Sequence, residues 1–177
     1  MEIKRLEREA YAGKKFTARY QTSGDYDISP AEEGFQITYT PFETPVERSF
    51  DDVFFGEWLE EPVAFGAFED GRLIGYVEGS LETWNGRFRI SNICLFDSGE
   101  RRRGVGTMLM AVIQKEAAAS GARMIVLETQ SCNEAAIGFY RKNGFDLYAY
   151  SNTDPERHEV RVEMGKKLQQ SEQEVRI

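Results

Sequence analysis

The chain has 177 residues, a length that fits one domain with an ordinary core. Its formal net charge of -8 at pH 7 argues against a nucleic-acid backbone as the main partner, since proteins that bind one concentrate positive charge. The charge suits a cationic substrate, although solubility alone would also explain it.

Membrane and secretory signals are weak in this sequence. No apolar stretch approaches the ~18 residues needed to span a membrane, and no apolar signal region follows the charged start Met1–Arg5. We therefore expect a cytoplasmic protein without membrane or nucleic-acid partners. Cys94 and Cys132 have no metal-ligand spacing, so we expect reduced thiols and no metal. The oligomeric state stays open, and a homodimer is compatible with the sequence.

The first third of the chain predicts two strands and a helix. The strands are expected at Lys15–Tyr20 and Gly34–Tyr39, and the helix at Ser49–Glu60, opened by Ser49 or Asp51 as N-cap. This region and the next supply aromatic and acidic side chains that attract ammonium groups. They form either an acceptor pocket or a scatter of surface and core residues: Tyr20, Asp25, Tyr26, Glu78, Glu82 and Trp84.

The middle of the chain predicts a β-meander. Val63–Phe68 and Leu73–Leu81 flank an Asp-Gly step, which is a strong hairpin signal. The Asn-Gly turn in Trp84–Arg87 leads into a further strand, Phe88–Phe96.

A glycine pair stands between that strand and a predicted helix. Apolar residues recur at helical spacing from Val105 to Gly121, which is a typical stop. Gly104 and Gly106 let the backbone turn tightly and aim N–H groups at one point, where the helix N-terminus adds positive potential. This arrangement predicts an anion site. Its spacing fits neither a dinucleotide fingerprint, which Leu109 interrupts, nor a Walker loop.

A second strand and helix follow. Arg123–Thr129 is expected to be a buried strand, and Asn133–Phe145 a short helix closed by Gly144. Phe145–Tyr150 and His158–Met164 predict a last pair of strands, and the polar stretch Lys166–Ile177 is expected to fray.

Two motifs in these blocks resemble one superfamily. The pattern Arg101-x-x-Gly104-x-Gly106 is similar to the pyrophosphate-binding loop of the GNAT superfamily of acyl-CoA-dependent N-acyltransferases. The stretch Leu127–Phe145 resembles the second conserved block of that superfamily. Within it, Leu127–Gln130 followed by Asn133 and Phe139–Tyr140 most resembles the streptothricin acetyltransferases, and also the ribosomal-protein alanine acetyltransferases. The resemblance is strong over about residues 62–150.

The resemblance implies an α/β (α+β) fold. We expect a single N-acetyltransferase domain over residues 1–177, with a mixed central sheet flanked by helices and strands splayed at the acyl-CoA site. The part before residue 62 is expected to bind the acceptor.

The implied activity is transfer of an acetyl group from acetyl-CoA to a primary amine. The expected acceptor is a cationic small molecule, a streptothricin-type antibiotic whose acetylation gives resistance, in a direct ternary-complex mechanism. The alternatives are a protein N-terminal or polyamine acetyltransferase, and an acyl-CoA-binding regulatory domain without turnover.

The resemblance also implies roles for single residues. Tyr140 matches the general acid for the coenzyme A thiolate, and Glu128 matches the base. The periodicity alone favours a core aromatic pair at Phe139–Tyr140, and the resemblance changes this for Tyr140 and leaves Phe139 as core. Glu128 alternatively attracts the ammonium or hydrogen-bonds the loop Ser131–Asn133. The expected cofactor-binding residues are Ile93, Cys94, Leu95, Arg101, Arg102, Arg103, Gly104, Val105, Gly106, Thr107, Asn133 and Tyr140.

Two of these assignments have competing explanations in the sequence. Asn133 is also the natural N-cap of its helix. The strand before the loop carries Ser91 and Asn92 where relatives often have an acidic residue, so a base there is in doubt, while Asn92 could orient a water or the substrate. Glu78, Trp84 and Asn92 complete the acceptor-site candidates.

Overall fold

The fold is centred on a seven-stranded mixed sheet, and a separate two-stranded sheet packs against it. The computed structural model describes residues 1–96, 104–154 and 159–168. The strand order in the large sheet is β1-β4-β5-β6-β7-β9-β8. In chain order the described elements are β1 (Glu2–Arg5), α1 (Arg8–Tyr11), β2 (Lys15–Ala31), β3 (Gly34–Val53), β4 (Val63–Glu69), β5 (Arg72–Glu82), β6 (Arg87–Leu95), α2 (Val105–Ala119), β7 (Met124–Gln130), α3 (Glu134–Lys142), β8 (Asp146–Asp154) and β9 (Glu159–Lys167).

The parallel pair β6–β7 opens part-way along its length. Its register joins Arg87–Ile90 to Met124–Leu127, whereas β6 stays paired with β5 as far as Leu95. The edge of Ile93–Leu95 that faces β7 is therefore left without a neighbouring strand. This confirms the expected splaying of two central strands.

Apolar side chains cover both faces of the sheet. On one face the buried side of α2, with Leu109, Met110 and Ile113, packs against β4, β5 and β6. On the other face a second cluster joins Phe16 and Phe54 to Tyr76 of β5, with ring centroids 4.5 to 5.1 Å apart. Burial of both faces is what fixes the register of the central strands.

The long hairpin β2–β3, which we call the arm (residues 15–53), is hydrogen-bonded to the start of α3 and to the loop before it. Asp25 accepts a hydrogen bond from the Ser131 hydroxyl at 2.7 Å, and Tyr39 donates to Glu134 at 2.6 Å. The Ser23 N–H donates to the same carboxylate at 3.1 Å. These contacts hold the arm over the loop between β7 and α3.

The helix predicted at Ser49–Glu60 is wrong. Ser49–Val53 form the end of β3, where Thr17 of β2 lies opposite Asp51. Phe55 then adopts a positive φ of 52°, which a helix cannot include. Strand pairing therefore overrides the N-cap signals of Ser49 and Asp51, and both arm strands are longer than predicted.

The two ends of the chain also differ from the prediction. Residues Glu2–Arg5 form an edge strand against β4 that the sequence analysis missed. Lys166 and Lys167 do not fray, because they pair with Ile125 and Met124 of β7. His158 and residues 169–177 lie outside the described residues. Among those described, no helix has both the length and the apolar character to cross a membrane.

Candidate active site

A cavity of about 350 Å³ opens where β6 and β7 separate. The arm covers one side of it, and the start of α2 and one face of α3 form the other. The residues that line it are Ala18, Arg19, Tyr20, Phe50, Ile93, Cys94, Leu95, Gly104, Gly106, Thr107, Asn133, Ala135, Ala136 and Phe139.

The N-terminus of α2 presents backbone donors to this cavity. The first hydrogen bond of the helix joins the Met108 N–H to the Gly104 carbonyl at 3.1 Å. The N–H groups of Val105, Gly106 and Thr107 lie ahead of that bond, so the helix itself does not use them. Such groups, together with the helix dipole, favour an anion.

Both glycines of the loop have a structural reason. Gly104 adopts a φ of +79°, a conformation that side-chain-bearing residues rarely take. A Cβ on Gly106 would lie 3.4 Å from the Phe139 ring, so a larger side chain would crowd α3. Val105, also predicted to bind the cofactor, is buried in the core and is not among the residues that line the cavity. Arg101, Arg102 and Arg103 lie outside the described residues.

The open edge of β6 forms the floor of the cavity. Ile93, Cys94 and Leu95 line it. Cys94 is a free thiol whose pKa is raised by burial, and Cys132 is also free. Cys94 therefore contributes an uncharged, weakly polar surface to the cavity rather than a nucleophile.

Helix α3 brings Asn133 and Tyr140 to the same region. The Asn133 side chain caps the helix by accepting the Ala136 N–H at 3.2 Å, which confirms the N-cap prediction. Tyr140 follows Ala136 by four residues on the same side of the helix, but it is buried and is not among the residues that line the cavity. The phenol is buried, and desolvation raises its pKa. Phe139, predicted as core, both packs against the core and lines the cavity.

Glu128 lies on β7 with a basic partner. The Arg161 guanidinium donates to its Oε1 at 2.8 Å, with about a third of the glutamate side chain exposed. Glu128 is not among the residues that line the cavity. The loop Ser131–Asn133 does not bind this carboxylate through Ser131, which donates to Asp25.

Two of the acceptor-site candidates, Glu78 and Asn92, lie opposite each other on β5 and β6. Glu78 is completely buried, and its Oε2 accepts the Phe55 N–H at 2.7 Å. Burial raises the pKa of Glu78 to about 7. Asn92 donates from Nδ2 to Asp52 of the arm at 3.0 Å.

The structure does not bring Trp84 to the cavity. It lies at the β5–β6 turn with 79% of its surface exposed, and the Arg87 guanidinium lies 5.7 Å from its ring. Arg87 at this turn and Ile93 at the cavity lie roughly 20 Å apart along β6, at about 3.3 Å per residue. Glu82 is near the same turn and is bridged to Arg87 and Arg89.

The aromatic candidates of the arm divide between the cavity and the arm itself. Tyr20 lines the cavity, and its hydroxyl lies 3.5 Å from the Cys132 sulfur. Tyr26 packs on Tyr39 with ring centroids 5.1 Å apart.

Sequence reasoning missed the arm's share of the site. Ala18, Arg19 and Phe50 line the cavity, and Asp52 reaches Asn92. The part of the arm around Phe50 and Asp52 carried no strand signal, because Phe50, Val53 and Phe54 recur at helical spacing. The same segment also contains good N-cap residues.

Known proteins match both the loop and the sheet around this cavity. Residues 31–145 match the Acetyltransferase (GNAT) family. The chain belongs to the GNAT acetyltransferases. The family and the enzyme class predicted from the two motifs are thereby confirmed.

Sequence relatives of this GNAT acetyltransferase include streptothricin acetyltransferases. The one from Streptomyces lavendulae is 28% identical over 145 residues, covering 77% of this chain and 76% of the relative. The one from Escherichia coli is 30% identical over 132 residues, covering 71% and 72%.

Solved GNAT structures share the fold over nearly the whole chain. A nourseothricin acetyltransferase superposes with a TM-score of 0.76 at 24% identity, covering 94% of this chain and 97% of the other. A structure from Bacillus anthracis, assigned as a streptothricin acetyltransferase and in complex with acetyl coenzyme A, gives 0.71 at 21% identity, covering 95% and 98%. The mixed-sheet fold expected from the sequence is therefore confirmed.

Proposed function

We propose that this GNAT acetyltransferase moves the acetyl group of acetyl-CoA to a primary amine of a streptothricin-type cationic antibiotic, and so gives resistance to it. The observation that carries the proposal is the cavity at the splay of β6 and β7, where free backbone donors of α2, the open edge of β6 and the face of α3 with Ala136 and Phe139 converge. Tyr140 lies buried one helical turn beyond Ala136. The relatives at 28% and 30% identity support the choice of acceptor.

In this proposal acetyl-CoA occupies the cavity from its diphosphate to its thioester. The diphosphate would accept hydrogen bonds from the N–H groups of Gly106 and Thr107. The side chains of Arg101–Arg103 would neutralise the remaining phosphate charge. The pantetheine arm would add to the free edge of Ile93–Leu95 in the way an extra strand does, and its polar groups would also reach Asn133. The thioester then lies beside Cys94 and Tyr140.

Tyr140 is the general acid in this proposal. The amine attacks the thioester carbonyl, the C–N bond forms, and the C–S bond then breaks to release a thiolate. The phenol carries its proton at neutral pH, but desolvation raises its pKa and makes transfer of that proton to the thiolate less favourable. Concerted breakdown of the intermediate or a water relay would offset this cost. Backbone N–H groups of β6 at the splay are the available donors for the tetrahedral oxyanion.

Glu128 acts on the acceptor amine in this proposal. A lysine-type amine of pKa ~10.4 is mostly an ammonium at neutral pH, and forming the neutral amine costs roughly 4.6 kcal/mol. Glu128 stands at the end of β7, beside the opening, where it can attract that ammonium or take its proton. Its ion pair with Arg161 must rearrange for either role.

A panel of acceptors tests the proposal. Release of coenzyme A would be followed with acetyl-CoA and streptothricin, a polyamine, and a peptide with a free N-terminal alanine, and products would be weighed by mass spectrometry. Streptothricin should give the highest kcat/KM and a monoacetylated product. Faster transfer to the polyamine or the peptide would replace the proposed acceptor, and no release with any amine would leave a binding domain without turnover.

A further inference from the structure

The carboxylate of Glu78 is buried, and one of its two oxygen atoms has no hydrogen-bond partner among the described residues. Its side chain is completely buried, and Oε2 accepts one hydrogen bond, from the Phe55 N–H. Oε1 is buried and has no hydrogen-bond partner among the described residues. A buried polar atom without a partner is rare in native proteins, and its retention indicates a ligand, a water or a chemical role.

The groups around Glu78 connect it to the arm. Asn92 lies opposite it on β6, beside the irregularity that shifts the β5–β6 register, and holds Asp52 of β3 at 3.0 Å. Other groups that face Glu78 are Tyr76 on its own strand, Cys94 on β6 and, acting in the opposite direction, the cation of Arg8 on α1.

Asp52 stands between the cofactor cavity and a second groove. Together with Asp51 and Trp58 it lines an open groove at the base of the arm. Phe50, two residues earlier on the same strand, lines the cofactor cavity, and so does Ile93, the neighbour of Asn92. The Asp52–Asn92 hydrogen bond therefore lies where the groove and the cavity meet.

The groove has the chemistry of a cation site. Two carboxylates and an exposed indole ring are groups that attract an ammonium, and with Lys15, which also lines the groove, they leave it one net negative charge. An amine that enters there would pass Asp52 before it reaches the thioester. Glu78 does not line the groove, but it lies opposite Asn92, the partner of Asp52, and its unpartnered Oε1 is a second, independent sign that a proton donor binds beside this pair.

We propose that the groove lined by Asp51, Asp52 and Trp58 receives the acceptor, that Asp52 holds its reactive ammonium, and that Glu78 accepts the proton from it. This proposal rests on the proposed function, because it assigns the acceptor side of the same reaction. Glu128 would then attract the rest of a polycationic acceptor at the rim, and its ion pair with Arg161 would suit that role.

The proton balance is complete with these groups. The ammonium gives one proton to Glu78, and the neutral amine attacks the thioester carbon. The C–N bond forms, the C–S bond breaks, and the thiolate takes a proton from Tyr140. The second proton of the attacking nitrogen restores Tyr140 through solvent, and Glu78 releases its proton to solvent. The net products are the amide, coenzyme A and one proton.

The electrostatic setting of Glu78 agrees with this role. Burial raises its pKa to about 7, and the nearby charge of Asp52 adds to the shift, whereas the Phe55 N–H and Arg8 oppose it. A base with a pKa near the working pH is partly ionised and still strong enough to hold the proton it receives.

Replacement of Glu78 by glutamine tests the inference. Gln keeps the shape and can still accept the Phe55 N–H, but it cannot take a proton. For Glu78→Gln we expect kcat/KM for the acceptor to fall at least ~100-fold at pH 7, as for a lost general base. Activity of Glu78→Gln should keep rising with pH up to about 9, where the parent has levelled off, because only amine that is already neutral reacts. Affinity for acetyl-CoA, measured by calorimetry, should stay the same.

Tyr76→Phe is the matched control. It removes a buried oxygen atom that, like Glu78 Oε1, has no hydrogen-bond partner among the described residues. Tyr76 lies on the same strand and face as Glu78 but is no proton acceptor. It should keep the activity and the pH profile of the parent. An equal loss in Tyr76→Phe would overturn the inference, since any disturbance of the buried strand would then suffice.

Asp52→Asn gives a second readout. Asn can still accept the Val53 N–H through its one oxygen, and the Asn92 amide can turn to accept from the new NH2 group, so the fold should survive. We expect acceptor KM to rise at least ~10-fold, with kcat changed less. If Glu78→Gln does not fold, an unchanged acceptor KM in Asp52→Asn overturns the inference by itself.

The two proposals fail in different ways. If the parent acetylates none of the amines in the panel, the proposed function fails. If the parent acetylates an amine while Glu78→Gln retains activity within twofold and keeps the parent's pH profile, the function stands and the role of Glu78 is wrong.

Discussion

At the scale of single residues, the proposed general acid Tyr140 and the carboxylate of Glu128 differ in how much water reaches them. Tyr140 is buried, and desolvation raises the pKa of its phenol, which therefore stays protonated until a thiolate forms beside it. Glu128 is partly exposed and ion-paired with Arg161. The protonation of Tyr140 and of Glu128 therefore depends on how far neighbouring side chains exclude water from each group, which the motif itself does not encode.

Tyr140→Phe should lower kcat by about ten- to ten-thousand-fold, the range expected for a lost general acid. The ring contacts with Phe139 and Phe145 remain, so stability and acetyl-CoA affinity should change little. Steady-state kinetics, a thermal melt and calorimetry measure the three quantities. Tyr148→Phe, the same change at an exposed tyrosine of β8, serves as the control. Turnover within twofold of the parent would show that Tyr140 is only a core aromatic.

Glu128→Gln separates two roles of that carboxylate. If Glu128 attracts the ammonium, KM for the acceptor should rise with kcat nearly preserved; if it is the base, kcat should fall and the acidic limb of the pH-rate profile should flatten. Affinity for acetyl-CoA should be unchanged in both cases.

Glu163→Gln is the control for this prediction. It removes the same charge from the position on β9 that lies opposite Glu128, so it reports the general effect of charge near the site. A loss of acetyl-CoA affinity as large as the loss of activity, with the acceptor KM unaltered, would show that Glu128 organises the cofactor loop instead.

At the scale of elements, the N-terminus of α2 combines a left-handed glycine with backbone donors that the helix leaves free. Gly106→Asp would place a carboxylate among those donors and push against the Phe139 ring, 3.4 Å from the new Cβ. We expect acetyl-CoA binding by calorimetry to weaken at least ~100-fold, through repulsion of the diphosphate and loss of access to the N–H groups.

Ala111→Asp is the matched control for Gly106→Asp. It introduces the same charge on an exposed face of the same helix, one and a half turns further along. It should bind acetyl-CoA as the parent does. Unchanged affinity in a folded Gly106→Asp protein would remove the diphosphate from this loop.

At the scale of the whole molecule, Glu78 links stability to pH. The ordinary pKa of a glutamate is 4.5, and in the folded protein that of Glu78 is raised to about 7, so the folded state binds more protons between these values. Its contribution to stability is fully present below pH 4.5 and is lost as the pH rises through 7. At about 1.4 kcal/mol per pKa unit, the loss is about 3 kcal/mol.

Urea unfolding of the parent and of Glu78→Gln at pH 5 and pH 8 measures this linkage. Gln resembles the protonated acid, so the two proteins should differ least at pH 5. At pH 8 the parent should have lost about 3 kcal/mol relative to the variant. An equal difference between the two proteins at both pH values would mean that Glu78 has an ordinary pKa in the folded state.

Most of the sheet and the cofactor loop followed from the sequence by itself. Strand alternation, the Asp-Gly and Asn-Gly turns and the two glycine-bearing motifs are local signals, and local geometry obeys them: β4 to β7, α2 and α3 are where the patterns place them. The N-cap role of Asn133 was predicted for the same reason. The family followed from the same motifs, since they encode a backbone shape that the anion requires.

Only the tertiary structure decided the acceptor side. Ser49–Val53 carry helix-start signals, yet they form a strand because β2 offers a complete ladder of hydrogen bonds, and this pairing places Asp52 beside Asn92. Burial of Glu78 depends on Phe55 and on strands distant in sequence, so no local pattern reveals its pKa. Desolvation and long-range pairing are properties of the packed molecule, and they set the chemistry of residues that the sequence could only name as candidates.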